Sequence, residues 1–175
     1  MPIRRLIVFL AMVPPAFACT RLNGAPLASG TVARVAPDES PAPDGFTLVV
    51  LQPSHGDLPA LLAVHAQRAA ELGRRPFVEF SAEWRPPCVA LANSLGDERM
   101  VEAFRGTNVI RLDIDEWKTR LSGTDFIVLG VPTFFELDGD GLPTGRTITS
   151  AAWGRDIPEN MAPPLQEFFQ EASQQ

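Results

Sequence analysis

The sequence predicts an α/β fold in which a central mixed sheet of about five strands carries helices on both faces. Two observations support this prediction. Short runs of β-branched and aromatic residues alternate with segments whose apolar residues recur at helical spacing, in the order β-α-β-α-β-α-β-β-α. The last two β runs are joined by the tight turn Asp138-Gly139-Asp140-Gly141, which indicates an antiparallel hairpin.

The first part of the domain has the pattern of a strand, a helix and a second strand. FTLVVL at 46–51 is rich in β-forming residues. Residues 57–72 have apolar side chains at helical spacing, with Asp57 as the expected N-cap and Gly73 as the stop. The run at 76–82 is largely apolar, which is typical of a central strand that is buried on both faces.

A second helix is expected to begin at Pro86-Pro87, because proline is tolerated in the first turn of a helix. Gly96 ends this helix, and Asp97 caps a further turn or two. The predicted core-facing side chains of the helix are Cys88, Leu91, Ala92 and Leu95.

The remaining elements follow from the same patterns. A third strand is predicted at 108–113, a weak helix at 115–122, a fourth strand at Thr133–Leu137 and a fifth at 146–149. A last helix is expected to open at Pro163-Pro164, with Leu165, Phe168 and Phe169 facing the core.

The N-terminus has the features of an export signal. Residues 1–18 combine a basic start, a short apolar core and small residues at Ala16 and Ala18. The apolar core is shorter than the ~20 residues that a membrane-spanning helix needs. Cys19 follows directly and resembles the lipobox cysteine of bacterial lipoproteins, which is diacylated. Ordinary signal cleavage, which would leave Cys19 as a free thiol, fits the same residues.

Residues 19–44 are rich in Ala, Pro, Gly and Ser, which predicts a flexible linker before a folded domain at 45–175. The expected location is therefore outside the cytoplasm, in the periplasm or cell envelope. The protein would be held at a membrane only through a lipid anchor on Cys19.

Charge and composition exclude several partners. The net charge is −6, and removal of residues 1–18 takes away two arginines and no acid, which leaves −8. Because the chain is acidic and has no cluster of Lys or Arg, nucleic acid is not an expected partner. His55 and His65 form no recognisable metal-ligand spacing with Cys88. No metal and no cofactor is predicted.

Two segments carry a family resemblance. FVEFSAEW at 77–84 is similar to the V-D-F-W-A-x-W approach to the active site in the thioredoxin-like superfamily, and the RPPC that follows stands in place of its C-x-x-C motif. VPTFFELDGDG at 131–141 is similar to the family's I-P-T loop, strand and turn. The resemblance covers about residues 46–172 and is closest to the periplasmic thioredoxin-like domain of membrane thiol:disulfide interchange proteins.

The resemblance implies a thioredoxin fold with an altered motif. In C-x-x-C chemistry the first cysteine attacks a disulfide and the second resolves the mixed disulfide. Arg85 stands at the first position and cannot attack, so a dithiol cycle within this site is excluded. Cys88 stands at the resolving position. It is either an inert buried residue or a thiol whose pKa is lowered by Arg85, three residues before it on the helix.

Three further roles are implied by the resemblance. Glu79 matches the buried acid that takes protons from the resolving cysteine, with a raised pKa; alternatively it is solvated at a cleft or paired with Arg85. Trp84 matches a residue of the contact surface, or it packs in the core. Val131-Pro132 matches the family's cis-proline, beside which the backbone would present an edge for an extended peptide.

The expected function is binding of a protein or peptide partner, thiol-containing partners included. The binding surface, called the cis-Pro groove below, consists of Trp84, Arg85, Pro86, Pro87, Val131 and Pro132. One alternative is a thiol–disulfide oxidoreductase of cell-envelope redox homeostasis, with Cys88 acting alone and Glu79 as its proton acceptor. The other is an interaction domain that requires only the fold.

Overall fold

The computed structural model describes residues 45–171. The predicted signal at 1–18, the predicted linker at 19–44 and the predicted lipid anchor at Cys19 lie outside the described residues. Within 45–171, no helix combines the length and the apolar character that crossing a membrane would need.

Five strands form one mixed sheet, which confirms the predicted α/β architecture. They are β1 (Thr47–Leu51), β2 (Arg75–Ser81), β3 (Thr107–Asp113), β4 (Thr133–Leu137) and β5 (Pro143–Thr149). Their order across the sheet is β1-β3-β2-β4-β5. β1 and β2 both run parallel to β3, whereas β4 is antiparallel to β2 and β5 is antiparallel to β4.

The helices connect these strands in the predicted order. They are α1 (Leu58–Glu71), α2 (Pro86–Ser94), α3 (Glu98–Ala103), α4 (Ile114–Trp117) and α5 (Pro158–Gln170). Asp97 caps α3 as expected, because its side chain accepts a hydrogen bond from the Arg99 N–H at 2.9 Å. The weak helix predicted at 115–122 is α4 with a short 3₁₀ turn, Lys118–Arg120.

The sheet separates two apolar layers, because side chains alternate between its faces along each strand. On one face, α1 packs over the strands, and the buried side chains include Leu62, Val78, Phe80, Ile110 and Phe135. The other face is covered by α2, α3 and α5, with Phe77, Leu91, Met100, Phe134 and Phe169 in its core. Glu79 lies between Val78 and Phe80 and therefore points into this second face.

The predicted start of the last helix is wrong. α5 begins at Pro158, and Pro163 and Pro164 lie inside it. Proline lacks an N–H, so two backbone hydrogen bonds of the helix cannot form. The helix nevertheless continues, because buried apolar side chains on both sides of the two prolines hold it against the sheet; these are Met161, Ala162, Leu165, Phe168 and Phe169. The helical spacing of these apolar residues therefore indicates the extent of the helix better than the positions of the two prolines do.

One predicted core position on α2 is also wrong. Cys88 and Leu91 are buried, but Ala92 is exposed. The buried face of this short helix is narrow, and Ala92 lies at the margin of that face.

Candidate functional site

The RPPC segment forms the N-terminus of α2. Arg85 is the N-cap residue, Pro86 and Pro87 take the first two helical positions, and Cys88 takes the third. The Arg85 N–H donates to the Ala82 carbonyl at 3.2 Å, and the prolines have no N–H. An ordinary helix N-terminus leaves four N–H groups unpaired. This one has fewer, so it is less able to stabilise a thiolate.

Arg85 extends from α2 over the loop that precedes β4. Its Nε donates to the Val131 carbonyl at 3.3 Å, and its guanidinium carbon lies 6.0 Å from the centre of the Trp84 ring. No carboxylate of residues 45–171 lies within ion-pairing distance of Arg85. Because Arg85 is also exposed, a solvated cation occupies the position of the attacking cysteine in a C-x-x-C motif.

Trp84 lies on the surface beside Arg85. Its side chain is 65% exposed, so it is not a core residue. Its indole Nε1 donates to Asp115 Oδ2 at 2.7 Å, which holds the ring against α4. This hydrogen bond and the nearby Lys118 lower the pKa of Asp115. The carboxylate that orients Trp84 therefore stays ionised in neutral solution.

Cys88 is buried, with only 2% of its surface exposed. Burial raises the pKa of its thiol, and hydrogen bonds from Ser81 and Ala82 oppose this effect without reversing it. Of the two alternatives for Cys88, the one in which Arg85 lowers this pKa is contradicted. Arg85 has extended backbone angles (φ −87°, ψ 119°), so it does not share a helical face with Cys88, and its side chain contacts Val131 instead.

Glu79 and Arg111 form an ion pair beneath α2. The two residues are directly opposite each other in the β2–β3 register, and Arg111 Nε donates to Glu79 Oε2 at 2.8 Å. Glu79 is fully buried, and this burial raises its pKa more than the charge of Arg111 lowers it. The raised pKa is as expected. The alternative pairing with Arg85 is wrong, because Arg111 is the partner.

Arg111 is the residue of this site that the sequence reasoning missed. It is the only charged residue within the apolar run NVIRL of the third strand. A single charged residue in an otherwise apolar central strand indicates a buried ion pair, because a buried cation requires a nearby acid. Choosing Glu79 as that acid also requires the order and register of the strands.

Val131 and Pro132 complete the predicted groove. The peptide bond between them is cis, as the resemblance implied. Both residues are buried, and Arg85 covers the Val131 carbonyl. The Val131 N–H makes no hydrogen bond to another backbone group within residues 45–171. The structure thus brings Trp84, Arg85 and Val131 together, with Pro86 exposed beside them and Pro87 half-buried; peptide binding there stays a prediction.

Within the described part of the chain, no three His, Cys, Asp or Glu side chains are placed so that they could hold a metal ion. Cys88 is a free thiol. The groups available for chemistry at this site are therefore a covered thiol, a buried ion pair and an exposed guanidinium.

No family model matches the chain, and no curated protein matches it. Solved structures do match. Trxlp of Edwardsiella tarda is 18% identical over 71% of this chain and 100% of its own, with a TM-score of 0.47. Thioredoxin of Plasmodium falciparum is 15% identical over 70% and 99%, with a TM-score of 0.45. Thioredoxin of Trichomonas vaginalis is 24% identical over 58% and 84%, with a TM-score of 0.41.

The fold itself is identified by its connectivity. A β-α-β-α-β segment contributes three parallel strands to a central sheet, a β-hairpin adds two antiparallel strands, and helices cover both faces. The RPPC segment opens the helix that follows the central strand β2, and the Val131-Pro132 loop leads into β4. This chain has the thioredoxin-like fold.

Proposed function

We propose that the cis-Pro groove binds an extended peptide segment of a protein partner, and that the segment carries a carboxylate. The observation that supports this most is the state of Arg85. Its guanidinium is exposed, has no carboxylate partner among residues 45–171, and is held over Val131 by a single hydrogen bond. An exposed guanidinium without a carboxylate partner can bind the carboxylate of a ligand through two parallel hydrogen bonds.

The hydrogen bond between Arg85 and Val131 is suited to exchange. At 3.3 Å it is longer than the usual range for N–H···O bonds, so it is weak. A peptide carboxylate would give Arg85 a stronger, charge-assisted and bidentate partner. Once Arg85 turns toward it, the Val131 carbonyl and N–H are free to pair with a peptide backbone as an added strand does.

Exposed apolar side chains adjoin this region. Trp84 is one, and Ile127 and Leu129 lie in the loop directly before Val131, with Leu129 95% exposed. Apolar surface beside a charged group is typical of peptide-binding sites, where the apolar contacts provide affinity and the charge orients the ligand. The preferred ligand would therefore place an apolar residue next to an acidic one.

Peptide selection tests this proposal. The protein is used to select from a displayed library of random peptides, and the selected peptides are measured by titration calorimetry. We expect acidic residues to be enriched, and Arg85→Gln to weaken binding roughly tenfold, the usual effect of losing one charge-assisted hydrogen bond. Arg155→Gln removes an exposed charge elsewhere on the domain and should leave binding unchanged. Failure to select any peptide, or equal effects of the two variants, would refute the proposal.

The same proposal includes export and a lipid tether at Cys19, supported by the signal-like residues 1–18. A tether would keep the groove close to a membrane while the linker lets the domain reach its partner. We expect wild-type protein in the membrane fraction of a bacterial host and Cys19→Ala in the soluble fraction, as judged by cell fractionation. Equal distribution of both proteins between the fractions would rule out the tether without affecting the groove.

The structure supports the oxidoreductase alternative less well. That alternative needs an accessible thiolate, whereas Cys88 is buried and its pKa is raised. The reactivity of Cys88 separates the two functions directly, because only the oxidoreductase needs its thiolate to be accessible.

A further inference from the structure

A second concave site lies between α2 and the sheet. This α2 cleft has a volume of about 280 Å³, and its walls include Val50 of β1, Ser81 of β2, Arg111 of β3, and Val89 and Ala92 of α2. Its lining includes none of the residues of the cis-Pro groove. The two sites are therefore separate, and a ligand in the α2 cleft would leave the cis-Pro groove free.

Small side chains form part of the lining of the cleft, among them Ser81, Ala82 and Ala92. Ser81 stands where the V-D-F-W-A-x-W pattern of the thioredoxin-like superfamily has its first tryptophan, and Ser81 lines the cleft. A tryptophan at this position would place its indole in the space that serine leaves free. The cleft is consequently a property of the residues of this chain rather than of its fold.

The inner wall provides one unsatisfied polar group. Arg111 Nε is bound to Glu79, but Arg111 Nη2 is buried beside the cleft and has no hydrogen-bond partner among the residues described, and the same holds for the second oxygen of its ion-pair partner, Glu79 Oε1. Buried polar atoms without a partner are uncommon and call for an explanation. A guanidinium can be satisfied by the face of an aromatic ring as well as by a hydrogen-bond acceptor.

Most of the remaining surface of the cleft is apolar, and the charged side chains on its walls disfavour an anionic ligand. Val50 and Val89 are 56% and 40% exposed, which is apolar surface that a ligand could cover. Glu83 and Asp113 also line the cleft, and the positive charge of Arg111 is already paired with Glu79. The local charge is therefore negative, which disfavours a carboxylate or phosphate ligand. Although the cleft as a whole is negative, a cationic ring placed directly against the Arg111 guanidinium would be repelled at contact distance.

We propose that the α2 cleft binds an uncharged aromatic small molecule, with its ring against Arg111 and its edge between Val50 and Val89. The volume lies near the lower limit of known ligand sites, roughly 300 Å³, so it admits one ring or a fused pair. Indole has the required size, shape and neutrality, and it is the group that a tryptophan at position 81 would supply.

A titration with indole tests the proposal on the full-length protein. We expect saturable chemical-shift changes in ¹H–¹⁵N spectra at residues 50, 89, 92 and 111, with a dissociation constant of about 1 mM or tighter. Indole-3-acetate carries the same ring and a negative charge, and it should bind roughly tenfold more weakly. Absence of saturable shifts for indole, or tighter binding of indole-3-acetate, would overturn the proposal.

Variants that fill the cleft locate the site. Ser81→Trp should abolish the indole-induced shifts, because its own side chain takes the space. Ala92→Phe fills the cleft from the exposed side of α2 and gives the same result if Ser81→Trp does not fold. Ala70→Phe makes the same change at an exposed alanine of α1, and it should bind indole as the wild type does. Indole binding that survives in a folded filling variant would place the ligand elsewhere.

Discussion

Gly141→Ala should lower the free energy of unfolding by about 3 kcal/mol, as measured by urea denaturation. Two effects add at this residue. Its φ of +80° is a backbone conformation that costs an alanine ~1–2 kcal/mol. A Cβ at this position would also lie 2.5 Å from the backbone N of Ala63 in α1, far inside van der Waals contact. Backbone atoms cannot rotate away, so α1 or the β4–β5 turn would have to shift.

Two other glycines of the same hairpin separate these effects. Gly145 has φ +91° but open space around its Cβ position, so Gly145→Ala should show the conformational cost alone. Gly139 has neither a positive φ nor a close neighbour, so Gly139→Ala should change stability by about 0.5 kcal/mol or less. If Gly141→Ala and Gly145→Ala cost the same, the turn does not approach α1 as closely as the structure indicates.

The second large effect concerns the reactivity of Cys88. In a Cys19→Ala background, where Cys88 is the remaining cysteine, we expect iodoacetamide to react at least ~10³-fold more slowly with the native protein than with the protein in urea. Cys88 borders the α2 cleft, but only 2% of its surface is exposed, so the reagent rarely reaches the sulfur, and the raised pKa reduces the thiolate fraction at neutral pH. Mass spectrometry of timed samples measures both rates.

The pH dependence of this reaction has a definite sign. The folded state holds the Cys88 proton to a higher pH than the unfolded state, whose thiol has the ordinary cysteine pKa of roughly 8.5. The stabilisation from this difference is complete below that pKa, and it is lost as the pH rises through the raised pKa of the folded state. Alkylation of the native protein should therefore accelerate steeply above pH 9, by both thiolate formation and unfolding.

A matched control places a thiol at the exposed end of the same helix. Arg85→Cys combined with Cys88→Ala, also in the Cys19→Ala background, should react at the rate of a free thiol, since position 85 is exposed. A native Cys88 that reacts as fast as this control near neutral pH would remove the main argument against the oxidoreductase function. A fast reaction of Cys88 would not change the expected stability of Gly141→Ala, which depends on a different part of the domain.

These two predictions differ in how far the sequence anticipated them. The DGDG turn was predicted from its residues, because glycine and aspartate determine turns through local backbone preferences. The close approach of Gly141 to Ala63 joins the turn to a helix far away in sequence, and no local pattern contains it. Similarly, the sequence placed Cys88 in the first turn of α2, but the sign of its pKa shift depends on which groups surround it.

Local sequence patterns were sufficient to predict the α/β class, the order of the elements, most of their boundaries and the position of RPPC at a helix N-terminus. Hydrophobic periodicity and turn residues act over a few neighbours, and the family resemblance supplied the cis peptide bond before Pro132. Three features became visible only in the folded domain: Arg85 contacts Val131, Arg111 pairs with Glu79, and Ser81 lines a cleft under α2. Strand order and register create these contacts. The contacts join residues that are far apart in the sequence, so a pattern over a few neighbouring residues cannot predict them.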